Sequence, residues 1–89
     1  MIQVNLIIQN KLGLHARASA KLSDLANRYQ SEILLIYKQR KTDAKSILVV
    51  MTMGATLGQE ITLEASGSDE NEAAESIQAL FNDRFGESE

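Results

Sequence analysis

His15 and Arg17, two positions apart, are the residues of this chain whose types and spacing are best suited to chemistry. They follow a turn signal, Asn10 to Gly13, and open a segment whose apolar residues recur at helical spacing. The first N–H groups of a helix have no intrahelical acceptor and carry the positive end of its dipole. An anion placed there gains about 0.3–1 kcal/mol, or ~2 kcal/mol in a partly buried site. The N–H groups of Ala16, Arg17 and Ala18 would form such a cradle, and the Arg17 guanidinium can fork onto two phosphate oxygens. In wholly positive surroundings the neutral imidazole is the form favoured, and it is the nucleophilic one. A site of this kind can take a phosphoryl group onto nitrogen and hold it. The same pair also fits a plain helix cap beside a solvated charge.

Composition removes most other chemistry. The chain has 89 residues, enough for one domain, 1–89, at the small end of what folds unaided. Nine Lys and Arg against 12 Asp and Glu leave a net charge of −3, which argues against a dedicated nucleic-acid binder. There is no cysteine, hence no disulfide, thiolate zinc site or thiol nucleophile, and one histidine excludes a His-rich metal centre. Neither a metal nor a cofactor is expected. No apolar run approaches the roughly 20 residues that span a bilayer. No cationic stretch precedes the apolar residues of the amino-terminal segment, so a signal peptide is not expected and a cytoplasmic location is.

The elements that must position His15 follow from periodicity. Ile2, Val4, Leu6 and Ile8 alternate with polar neighbours, Ile7 excepted, and predict a half-buried strand. Ala18, Leu22, Leu25, Ala26 and Tyr29 predict an amphipathic helix from Ala16 to about Tyr29. Glu32 to Tyr37 reads as a central strand, and Lys38 to Asp43 as a loop or a charge-protected edge strand. Ser46 to Met53 is evenly balanced: Ile47, Val49 and Val50 favour a strand, whereas Ser46 and Gly54 could cap a helix. Ile61, Leu63 and Ala65 alternate in a last strand. Asp69, three residues before Glu72, suggests a capping box opening a final helix with the stripe Ala73, Ile77, Leu80 and Phe81. The order β-α-β-β-α-β-α predicts an α+β two-layer sandwich.

Asn10-Lys11-Leu12-Gly13-Leu14-His15-Ala16-Arg17-Ala18-Ser19-Ala20 resembles the active-site signature of the HPr family, the small phosphocarriers of the bacterial phosphotransferase system. Ala44-Lys45-Ser46-Ile47-Leu48 is similar to that family's serine-containing motif, and Gly67 to Ala73 to the start of its last helix. The resemblance implies an open-faced sandwich of four antiparallel strands covered on one face by three helices, with a short helix starting at Ser46. It implies that His15 is phosphorylated on Nδ1 by enzyme I, itself charged from phosphoenolpyruvate, and passes the group to an enzyme IIA-type acceptor. The chain would then be a carrier and not a self-contained enzyme. By the same resemblance Arg17 is the phosphate clamp, and Ser46 a regulatory site for a serine kinase and phosphorylase. Leu14, Lys21, Ile47, Leu48 and Met51 are the residues expected to dock partners. A monomer is expected, touching neither nucleic acid nor membrane.

Two features qualify the likeness. The family usually has proline after the arginine, where this chain has Ala18; alanine restores one N–H donor near the phosphate and loosens the first turn. Two branches share the fold, one feeding sugar transport and one regulatory and nitrogen-related, and the Ala79-Leu80-Phe81-Asn82 ending leans toward the latter. The element order also suits a ferredoxin-like sandwich. An RNA-recognition module would need strand aromatics that are missing, and an acylphosphatase-like enzyme a Gly-rich phosphate loop only faintly imitated by Gly13 and Arg17. A ferredoxin-like small-molecule-binding regulatory domain is the alternative, though it gives the His15–Arg17 pair no task.

Overall fold

The alternating segments pair into one four-stranded antiparallel sheet in a computed structural model that describes residues 1–88. The strands are β1 (Ile2–Ile7), β2 (Glu32–Tyr37), β3 (Arg40–Asp43) and β4 (Glu60–Ser66), ordered β1-β4-β2-β3 across the sheet. The register brings Val4, Leu63 and Leu35 into one cross-strand row, and Ile2, Ala65 and Ile33 into the next. These rows face the helices α1 (Ala16–Ala26), α2 (Ile47–Met51) and α3 (Glu70–Asn82). The opposite face carries Gln3, Asn5, Thr62 and Glu64 and stays uncovered by any helix, as an open-faced sandwich requires.

The core is filled from both layers. Ile33, Leu35, Ile61 and Leu63 meet Leu22 and Ala26 of α1, Val50 of α2 and Ile77 and Phe81 of α3, all essentially without solvent exposure. β2 lies between β4 and β3, which makes the apolar Glu32–Tyr37 run a central strand. The polar stretch after it is an edge strand. Tyr37 pairs with Arg40, leaving Lys38 and Gln39 as a two-residue turn with φ of 51° and 67°. The evenly balanced segment is helical, and β4 is its nearest strand downstream.

Two local expectations need correction. The helical periodicity to Tyr29 overshoots, because α1 ends at Ala26. Arg28 and Tyr29 donate three residues back, to Leu25 and Ala26, so the last apolar position is reached by tighter turns. Asp69 occupies the N-cap position of α3 but makes no capping bond. Its carboxylate instead accepts from the Gln30 and Ser31 N–H groups, both at 2.9 Å, and from the Ser31 hydroxyl. Those bonds hold its pKa below the ordinary 3.8, the Ser31 hydroxyl contributing most. They tie the start of α3 to the chain entering β2.

Candidate functional site: a histidine at a helix start

The turn before α1 is fixed from beneath. Gly13 has φ of +66°, and a Cβ there would lie 2.6 Å from the Ala55 carbonyl oxygen, so the position needs glycine on both counts. The Leu14 N–H donates to that same carbonyl at 3.2 Å. Asn10 is wholly buried and donates from Nδ2 to the Gly13 carbonyl at 2.7 Å. The turn therefore delivers the next residue to the helix start in one orientation.

That residue is His15, the N-cap of α1. Its carbonyl accepts the first helical bond, from Ser19 N–H at 2.9 Å, and its Nδ1 accepts from the Arg17 N–H at 3.3 Å. The side chain is 28% exposed and lines an open cleft of about 870 Å³ together with Lys11, Leu12, Arg17 and Lys21. Nδ1 thus lies at the unpaired N–H groups of the first turn, those of Ala16 and Ala18 having no intrahelical acceptor. The Arg17 guanidinium is exposed and makes no hydrogen bond or ion pair among the described residues. Ala18 is buried, its methyl group in the core while its backbone remains in the first turn.

The surroundings are not wholly positive, as the sequence suggested. His15 Nε2 contacts the Glu87 carboxylate at 2.5 Å, and Glu87 Oε1 accepts from Asn10 Nδ2 at 3.1 Å. Burial pushes the Glu87 carboxyl upward, but the hydrogen bonds from His15 and Asn10 and the nearby Lys21 charge prevail and lower its pKa. With Nδ1 accepting from an N–H, the ring proton belongs on Nε2, facing this carboxylate. Glu87 escaped the sequence reading because it lies 72 positions away; the only local sign was Gly86, which marks the chain reversal that follows α3.

The expected docking residues divide. Ile47, Leu48 and Met51 are 37%, 73% and 41% exposed, and Val49, which the sequence reading did not single out, joins them. Leu14 is a correction: it packs into the core and offers a partner almost no surface. Lys21 is exposed, but its ammonium already donates to the Phe85 carbonyl at 2.7 Å. Ser46 stands at the N-cap of α2, half-buried, with no side-chain capping bond. Among the described residues no His, Cys, Asp or Glu cluster could hold a metal, and no helix is long and apolar enough to cross a membrane.

Comparison with known proteins agrees with this geometry. The family described as "PTS HPr component phosphorylation site" matches residues 2–83. The phosphocarrier protein HPr of Cupriavidus necator is 49% identical over 89 residues, covering all of both chains. The phosphocarrier protein NPr of Shewanella violacea is 40% identical over 80 residues, 90% of this chain and 88% of that one. HPr and NPr proteins are therefore both represented among its relatives. A crystal structure of HPr from Thermoanaerobacter tengcongensis superposes with a TM-score of 0.96 at 37% identity, each chain wholly covered. These likenesses do not favour a small-molecule-binding domain. The chain belongs to the HPr family of phosphocarriers of the phosphotransferase system.

Proposed function

We propose that His15 is the residue that carries the phosphoryl group, accepting it on Nδ1 from phosphorylated enzyme I and passing it to an enzyme IIA-type protein. One observation carries this reading: the Nδ1 lone pair points into the first turn of α1, 3.3 Å from the Arg17 N–H. Once that lone pair forms the N–P bond, the Arg17 N–H is released to a phosphoryl oxygen. The Ala16 and Ala18 N–H groups complete the cradle, and the unengaged Arg17 guanidinium closes over the remaining oxygens. The oxygens remain open to the cleft, as a group that must be handed on requires.

Partners dock on the exposed face of α2, through Ile47, Leu48 and Met51, with Val49 added. Lys21 contributes charge at the rim and a hold on the carboxyl-terminal tail. Phosphorylation of Ser46 by a serine kinase places nearly two negative charges beside that apolar face and weakens docking, and a phosphorylase reverses it. The chain works as a monomer in the cytoplasm.

The test is incubation with phosphoenolpyruvate and enzyme I, followed by intact-mass measurement before and after acid. One acid-labile phosphate is expected, and none in His15→Ala. A label that survives this substitution, or no label from a donor shown to be competent, overturns the reading.

A further inference from the structure

The carrier reading leaves the Glu87 carboxylate without a task, yet three fastenings bring it to the ring. Phe85 is fully buried and packs against Phe81, ring centroids 4.9 Å apart. Arg84, Phe85 and Gly86 have φ of 55°, 56° and 77°, which turns the chain back after α3. Left-handed backbone is unfavourable for a non-glycine residue, so the reversal persists because burial of Phe85 offsets it. The Lys21 ammonium on α1 then holds the Phe85 carbonyl at 2.7 Å. Glu87 ends up 14% exposed, between buried Asn10 and His15. A histidine whose far nitrogen faces a fixed carboxylate is held in one tautomer, and the positive charge it acquires in reaction is stabilised.

We propose that Glu87 is a positioning residue for His15, holding the ring proton on Nε2 and pairing with the charge the ring gains when Nδ1 is phosphorylated. The proposal rests on the reading of His15 as the acceptor. On acceptance, the Nδ1 lone pair forms the N–P bond as the donor's bond to phosphorus breaks, its electron pair staying with the donor. Because the proton remains on Nε2, the phosphorylated ring is a cation, and the carboxylate lies against it. On delivery, the N–P pair returns to Nδ1 while the acceptor's nucleophile bonds to phosphorus. The protonated ring is the better leaving group for that step.

The experiment compares wild type, Glu87→Ala and Glu87→Gln by ¹⁵N NMR of the imidazole, alongside the kinetics of acceptance from phosphorylated enzyme I. Wild type is expected to show an Nε2-bound proton protected from exchange with water. In Glu87→Ala that signal is lost and kcat falls about tenfold to a hundredfold at unchanged KM. Glu87→Gln keeps an acceptor oxygen and recovers part of both. A Glu87→Ala chain matching wild type in either readout overturns the proposal, as does a loss confined to KM, which would make Glu87 a docking residue. If wild type itself takes no label, the acceptor reading falls and the proposal with it. If wild type is labelled on His15 and Glu87→Ala is indifferent, the proposal alone falls.

Discussion

His15 has its two nitrogens in opposite electrostatic company, a backbone N–H at Nδ1 and a carboxylate at Nε2. Only the first was legible in the sequence. Gly13, His15 and Arg17 lie within five consecutive residues and share one turn of chain, so their meeting needs no tertiary structure. Glu87 and Asn10 come together only because α3 and the turn after it fold back over α1. Leu14 was misjudged for a related reason: adjacency to an exposed histidine says nothing about which side of the chain a neighbour takes. The Arg17 side chain is exposed and makes no hydrogen bond or ion pair among the described residues, so Arg17→Ala should change stability by no more than about 0.5 kcal/mol. The same substitution should slow phosphoryl acceptance by about tenfold or more, since a preorganised donor is lost. Parallel unfolding curves and acceptance rates check this; a variant that unfolds easily would give Arg17 a structural role instead.

At the scale of elements, periodicity revealed β1, β4 and the two longer helices, and an apolar run revealed β2. The polar stretch of β3 reads equally as a loop, and the ends of the elements depended on contacts between them. α1 stops at Ala26, where Asn27 Nδ2 donates to the Ser23 carbonyl of its own helix and to the Lys45 carbonyl beyond β3. The five-residue α2 could not be resolved by propensity, because Ile47, Val49 and Val50 are strand formers whose placement is decided by burying Val50. Gly13→Ala should destabilise the domain by at least about 1–2 kcal/mol from backbone conformation alone. The close Ala55 carbonyl adds to that, and urea unfolding measures the sum. Asp69 joins α3 to β2, and its lowered pKa fixes the sign of a pH effect. A carboxyl depressed in the folded state contributes stability in full above its ordinary value near 3.8, and loses it as pH falls from there through the lowered folded-state pKa. Asp69→Asn should therefore destabilise the chain at neutral pH and less at about pH 3. An equal loss at both values, in urea unfolding, would assign the effect to hydrogen bonding independent of charge.

The molecule as a whole carries −3, yet Lys11, Arg17 and Lys21 line the cleft around His15. That separation of charge turns a basic site toward a partner while the remaining surface limits unspecific association. Phosphoryl acceptance should consequently slow as salt rises from about 0.1 to 1 M, where the Debye length shrinks from ~10 to ~3 Å. Stopped-flow acceptance measured over that range tests it, and a flat response would remove electrostatic steering from the account.

Glu87 and Ser88 run along the rim of the His15 cleft. The Met1 ammonium, by contrast, pairs with Glu70 at 3.1 Å, at the beginning of α3. Thirteen helical residues, roughly 20 Å at the standard rise, separate that end of α3 from the one leading back to the ring. A fluorophore or surface tether attached near Met1 would leave the ring accessible, whereas the same group attached to the side chain at Ser88 would obstruct it.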